Sequence, residues 1–287
     1  MKFPFLFMAV LALVSVLFIA GCTQSAPQVT PGQDTIRVAS GSLGTILVNA
    51  NGRTLYYFAA DIPASGTSSC SGSCTGLWPV FSVSTVTVSP PLAASDFSSF
   101  TRADGTTQTT YHGWPLYYFE EDANNGDVYG ENVGGNWFVV KPDETVMIAQ
   151  NSSTGLYLTD RMGNTLYYFT KDTAGASACT GGCSAKWPPF SVTMISAPSV
   201  LNTAAFSSVA RTDGMNQTTY MGRPLYYFAN DTKPGDMNGE GFNNLWYAAG
   251  INGTVAGSSP PLTMAMVMPT VTVASSLSMM TAGGGGY

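Results

Sequence analysis

Five cysteines, one histidine and four aspartates at a fixed place in a repeated motif are the side chains of this 287-residue sequence whose types and spacing could do chemistry. Four cysteines form two Cys-x-x-x-Cys pairs, Cys70 with Cys74 and Cys179 with Cys183, and Cys22 stands alone near the N-terminus. In an oxidising compartment an even set of this kind reads as disulfides. Ser71-Gly72-Ser73 and Thr180-Gly181-Gly182 are small and pliable enough to close so short a loop. The same sulfurs support a rival reading. Soft sulfur ligands favour copper(I), the C-terminal stretch carries Met264, Met266, Met268, Met279 and Met280, and His112 is available. A thiol–disulfide redox pair is a third option, with Lys186 the nearby charge able to lower a thiol pKa. Zinc would need the two distant pairs to face each other.

The aspartates belong to a repeat. Leu55-Tyr56-Tyr57-Phe58 recurs at Leu116–Phe119, Leu166–Phe169 and Leu225–Phe228, and each copy is followed three residues later by an aspartate: Asp61, Asp122, Asp172 and Asp231. Four copies at one offset suit a structural turn, in which the carboxylate accepts backbone N–H bonds. Catalytic carboxylates usually need unlike environments. His112 precedes Gly113 in an expected turn, and its counterpart is Met221, so it reads as a turn residue rather than a shared functional group. Two acidic loops, Asp122–Asp127 and Asp236–Glu240, offer oxygen ligands for calcium. Neither has the EF-hand spacing, so both read as solvated turns.

The flanks of the four copies alternate. The first and third follow a short turn and precede the cysteine pair and a Trp-Pro step, as in Cys70–Phe81 and Cys179–Phe190. The second and fourth follow Thr-Thr-Tyr and precede Gly-Asp and then Trp137-Phe138 or Trp246-Tyr247. The chain is therefore a tandem duplication offset by about 109–111 residues, with unit 1 at 35–147 and unit 2 at 148–257, each made of two related halves. The local chemistry is β. Ile46-Leu47-Val48 and Leu55–Phe58 read as the arms of a hairpin, and Leu156-Tyr157-Leu158 with Leu166–Phe169 as its copy. Asp104-Gly105, Asp213-Gly214, His112-Gly113 and Met221-Gly222 mark tight turns. In each LYYF segment, Leu and the second Tyr face one way and the first Tyr and Phe the other. Both faces are large and apolar, which asks for central or covered strands. The tyrosines read as core residues with a partnered hydroxyl; an exposed aromatic platform for a ligand is the sharper alternative. No segment sustains a 3.6-residue period, so the class is all-β: two homologous units of hairpin-based halves with few or no helices outside the leader.

The N-terminus supplies an address. Lys2, the uncharged apolar run Phe3–Ala20 and the step Ile19-Ala20-Gly21-Cys22 have the marks of a secretory signal ending in a lipobox. This places a signal peptide at 1–21, lipid on Cys22 and a polar tether at 22–34. An uncleaved anchor is the alternative. Either way the chain is extracytoplasmic. Residues 258–287 are low in charge and rich in Ser, Met, Gly and Pro, a low-complexity tail. Sequons stand at Asn151, Asn216, Asn230 and Asn252.

Charge narrows the partners. Lys plus Arg is 11 against 17 Asp plus Glu, a net charge of −6, which gives no footprint for nucleic acid. No G-x-S-x-G, H-E-x-x-H or Walker run appears, so no enzyme class, cofactor or metal is assigned.

At these motifs the sequence resembles a family of secreted-repeat lipoproteins with a Tyr-x-aromatic-x-x-Asp signature. Tyr56, Phe58 and Asp61 match it, as do Tyr117, Phe119 and Asp122, then Tyr167, Phe169 and Asp172, then Tyr226, Phe228 and Asp231. The resemblance implies export, lipidation and a repeated β architecture, and no substrate. Together these readings describe a lipid-anchored envelope protein that binds or scaffolds an envelope protein or polysaccharide.

Overall fold

A computed structural model describes residues 35–252. The leader 1–21, the lipidation site Cys22, the tether 22–34 and the tail 258–287 with its methionines lie outside the described residues. Unit 1 contains β1 (Ile36–Gly41), β2 (Gly44–Asn49), β3 (Tyr56–Phe58), the one-turn helix α1 (Cys74–Leu77), β4 (Phe97–Thr101), β5 (Thr107–Tyr111), β6 (Trp114–Pro115) and β7 (Trp137–Val139). Unit 2 repeats the order with β8 (Val146–Asn151), which begins two residues ahead of the expected boundary at 148 and is counted whole with unit 2, then β9 (Gly155–Asp160), β10 (Tyr167–Phe169), α2 (Gly182–Lys186), β11 (Phe206–Ala210), β12 (Asn216–Tyr220), β13 (Arg223–Pro224) and β14 (Trp246–Ala248). The class is all-β, built of small antiparallel sheets, because short runs of aromatic and β-branched residues are broken by turn residues every few positions. Among the described residues, no helix is long and apolar enough to cross a membrane.

The turns form where the sequence places them. Asp104-Gly105 closes the β4–β5 hairpin, with Thr101 opposite Thr107. His112 at φ 48° and Gly113 at φ 86° connect Tyr111 to its partner Trp114 in a two-residue turn, and Met221 and Gly222 do the same between β12 and β13. Positive φ at both central positions is what such a turn demands.

The strand partners differ from the expected hairpins. β2 pairs along its length with β1, not with the LYYF segment. The turn after β2 survives only as a bridge between Val48 and Thr54. β3 pairs instead with β7 from the far end of the unit, Tyr57 opposite Phe138. Unit 2 behaves alike: β9 pairs with β8, and β10 with β14. The second and fourth LYYF copies are not strands but pairs of isolated bridges, Tyr117 lying between Tyr56 and Val80 and Tyr226 between Tyr167 and Pro189. Proline at 115 and 224, just before each copy, lacks the N–H that a longer ladder would use.

The LYYF strands are central, as their two apolar faces require. β3 has β7 on one edge. On the other, Tyr56 and Tyr117 exchange both backbone bonds at 2.9 and 3.0 Å. Leu55 and Tyr57 face one hydrophobic cluster, while Tyr56 and Phe58 face another. The first cluster runs without a break from unit 1 into unit 2. Backbone bonds cross as well: Gln150 N–H donates to the Ala59 carbonyl at 2.7 Å. The two units are packed together rather than strung as separate beads.

Candidate functional site

The repeat motif builds a crossed clasp. The Tyr56 hydroxyl donates to Asp122 Oδ2 at 2.7 Å, and the Tyr117 hydroxyl donates to Asp61 Oδ2 at 2.5 Å. Each half thus supplies a phenol to the carboxylate of the other half. Unit 2 has the same exchange, Tyr167 to Asp231 at 2.6 Å and Tyr226 to Asp172 at 2.7 Å. The second oxygen of every aspartate fixes its own turn. Asp61 Oδ1 accepts from Ser69 N–H, Asp122 Oδ1 from Tyr129 N–H, Asp172 Oδ1 from Ala178 N–H and Asp231 Oδ1 from Asn238 N–H, at 2.6 to 2.9 Å. The backbone-accepting role read from the sequence is therefore present. The crossing partner is new.

Around each clasp lies an aromatic stack. Trp78 and Trp137 are parallel at 3.8 Å between centroids, and Phe58 stacks on Trp137 at 4.2 Å. Tyr56 meets Trp78, and Tyr117 meets Trp137, edge to face. Trp187, Trp246 and Phe169 repeat the arrangement with Tyr167 and Tyr226. The four motif tyrosines are fully buried, and Phe58, Phe119, Phe169 and Phe228 are buried too. The alternative of an exposed aromatic platform is overturned: both faces of each strand are covered, one by the other half and one by the shared core.

Burial governs the electrostatics. It pushes the Asp61 carboxyl up to about 6, against the opposing pull of the Tyr117 hydroxyl, the Ser69 N–H and the Arg102 charge. Asp122, Asp172 and Asp231 are raised by the same cause. The phenols of Tyr56, Tyr117, Tyr167 and Tyr226 are all raised, first by burial and further by their carboxylate partners. Matched carboxylates with both oxygens engaged hold structure; they do not form the unlike acid and base that proton-transfer chemistry uses.

The cysteines are bonded within each pair, Cys70 to Cys74 and Cys179 to Cys183, with Cα atoms 5.4 and 5.2 Å apart. In this state neither pair offers a thiolate for copper or thiol exchange. Each disulfide loop is clamped by a buried arginine. Arg102 donates to the Cys70 carbonyl and to Gln108 Oε1, both at 2.5 Å. Arg211 donates to the Cys179 carbonyl at 2.8 Å and to Gln217 Oε1 at 2.6 Å. Glu131 and Glu240 accept the N–H of Val139 and Ala248, each at 2.6 Å, and so tie down the last strand of each unit. Arg102 and Arg211, Gln108 and Gln217, and Glu131 escaped the reading of the sequence, and Glu240 was read only as part of a solvated acidic turn. Their signal was there: each recurs at the spacing of the duplication, inside Arg102–Tyr111 and Arg211–Tyr220 or beside the Gly-Asp turns.

The remaining candidates fall in turns. Asp127 Oδ2 accepts from Asn124, and Asp236 Oδ2 from Thr232 and Lys233, so these carboxylates fold their own loops. Lys186 sits over the Phe242 ring at 4.1 Å. Asn216, Asn230 and Asn252 are exposed and Asn151 is half-buried.

A family described as a secreted repeat of unknown function matches the chain four times, at residues 37–82, 98–141, 149–191 and 207–249. Each match holds one LYYF copy. No curated protein and no solved structure matches. The chain belongs to this secreted-repeat family.

Proposed function

We propose that this member of the secreted-repeat family is a non-enzymatic binding or scaffolding module, held to the cell envelope by lipid on Cys22. The crossed clasp carries the reading. Every residue that defines the repeat is spent on joining two halves, so the motif specifies a rigid body, and partner contact falls to its outer surface. The family description supports export, and two bonded cysteine pairs suit an oxidising compartment. Small residues before Cys22 after an apolar run support cleavage and acylation there. Two acyl chains make a stable anchor where one does not. The partner class is an envelope protein or polysaccharide.

Fractionation with mass spectrometry tests the anchor. Wild-type chain in the membrane fraction, starting at a lipid-bearing Cys22, is the expected result, with Cys22→Ser released into the soluble fraction. An unmodified soluble wild type overturns the anchor. Saturable capture of one envelope protein or polysaccharide by the intact chain supports the binding role. Turnover abolished by a folded Asp61→Asn variant overturns the non-enzymatic reading.

A further inference from the structure

Glu144 is buried for no purpose that the repeat supplies. It ends the link Lys141-Pro142-Asp143-Glu144 between the units and is 3% exposed. Its Oε2 takes a long bond of 3.4 Å from the Lys141 N–H, and its Oε1 is buried with no hydrogen-bond partner. A cavity of about 10 Å³ lies against it. That is room for about one water, provided polar groups hold it. Glu144, His112 and Arg161 line the space together with Trp114 and Met147.

The cavity sits where the units meet. Trp114 and His112 come from unit 1, and Met147 and Arg161 from unit 2. Two bonds cross the junction here: Trp114 Nε1, from the cavity wall, donates to the Arg161 carbonyl at 3.0 Å, and Ile148 N–H, next in sequence to the wall residue Met147, donates to the Tyr57 hydroxyl at 3.2 Å. The corresponding positions of unit 2 are Met221, Arg223, Gly250 and Gly253 in place of His112, Trp114, Lys141 and Glu144. The arrangement therefore occurs once in the duplication, at the junction.

The charged and titratable groups around the carboxyl are few. Lys141 and Asp143 flank it in the link, Glu131 lies before β7, Tyr57 is on β3, Tyr111 and His112 form the β5–β6 corner, and Arg161 follows β9. The Lys141 ammonium is committed to the Ala197 carbonyl at 2.9 Å. We propose that the Glu144 carboxyl and a single water in this cavity form a pH-sensitive pin between the two units. In the protonated form the acid O–H donates to the water and the junction is closed. In the ionised form the proton has gone to solvent, the buried carboxylate draws in further water, and the junction loosens.

Burial holds the Glu144 carboxyl well above its usual range. A carboxyl raised in this way lends stability that is complete below its unfolded value, about 4.3. That stability is lost as pH rises through the folded value.

The test compares thermal unfolding of the full chain with that of Glu144→Gln, which keeps shape and removes ionisation. The two are expected to melt close together at pH 4.5, where most of that stability is still present. By pH 8 the variant is expected to melt higher by about 2 °C or more. Asp61 titrates in both proteins and cancels from the difference. An equal gap at both pH values overturns the pin. A carboxyl NMR titration of wild type, which needs no variant, decides the case independently. A Glu144 midpoint above the ordinary carboxylate range supports the proposal, and one near the unfolded value overturns it. Amide exchange places the effect: faster exchange of Ile148 N–H in wild type than in the variant at pH 8, and not at pH 4.5, is the expected pattern. Indistinguishable exchange at both overturns a junction role.

Discussion

The phenol of Tyr117 reaches back 56 residues to Asp61 at 2.5 Å, while Tyr56 reaches forward 66 residues to Asp122 at 2.7 Å. Neither half of a unit supplies the phenol that its own aspartate accepts from. The two halves also share reciprocal backbone bonds at Tyr56 and Tyr117. A half alone would leave one carboxylate oxygen and one phenol without the partner they have here, each an expensive state when buried. The motif therefore works in pairs, which is why it occurs four times in two units.

Asp61 gives the clasp a pH dependence. Its carboxyl is pushed up to about 6 by burial, against an unfolded value of about 3.9. A raised acid contributes stability that is present below the unfolded value and lost as pH climbs to the folded one. Asp61→Asn removes that slope. In urea titrations, wild type is expected to lose on the order of 2 kcal/mol relative to the variant between pH 4 and pH 7. Parallel pH profiles would contradict this.

Two glycines separate packing from backbone freedom. A Cβ on Gly130 would stand 2.8 Å from the Tyr56 ring and 2.9 Å from Phe119, whereas one on Gly76 meets nothing within 4 Å. Gly130→Ala is expected to destabilise by about 1–3 kcal/mol. Gly76→Ala, in the helical turn of α1, is expected to be neutral or slightly stabilising. Denaturant midpoints of the two variants provide the comparison.

Arg102 acts through its fork. One arm holds the Cys70 carbonyl and the other Gln108, and the side chain is almost wholly buried. A lysine ammonium is a point charge and cannot span both acceptors. Arg102→Lys is expected to lose about 2–3 kcal/mol by thermal or urea unfolding, close to the loss in Arg102→Ala. Full rescue by lysine would show that charge alone suffices.

Much of this architecture is legible in the chain, and what is not has one physical cause. Alternation along Leu55–Phe58 tells which side chains share a face, because successive residues of a strand point oppositely. It says nothing of which strand lies at the edge, so the hairpin expected from Val48 and Leu55 gave way to pairing with Trp137–Val139, some eighty residues on. Turns such as His112-Gly113 depend on their own residues and were readable. The bond from Tyr56 to Asp122 depends on how two halves meet, and local pattern cannot supply it. Arg102, Gln108 and Glu131 repeat as faithfully as the tyrosines, yet single polar residues in Thr- and Gly-rich stretches draw no notice without the buried carbonyls and amides they serve.

A double-mutant cycle on Tyr117→Phe and Asp61→Ala tests the crossed clasp most directly. Each single change leaves its buried partner short of one hydrogen bond, Tyr117 keeping Ser68 and Asp61 keeping the Ser69 N–H, with an expected loss of about 1–3 kcal/mol. The double variant is expected to lose less than the sum, with a coupling of about 1 kcal/mol or more in urea unfolding. Additive losses, with coupling near zero, would mean that the two half-repeats are not held together by this exchange.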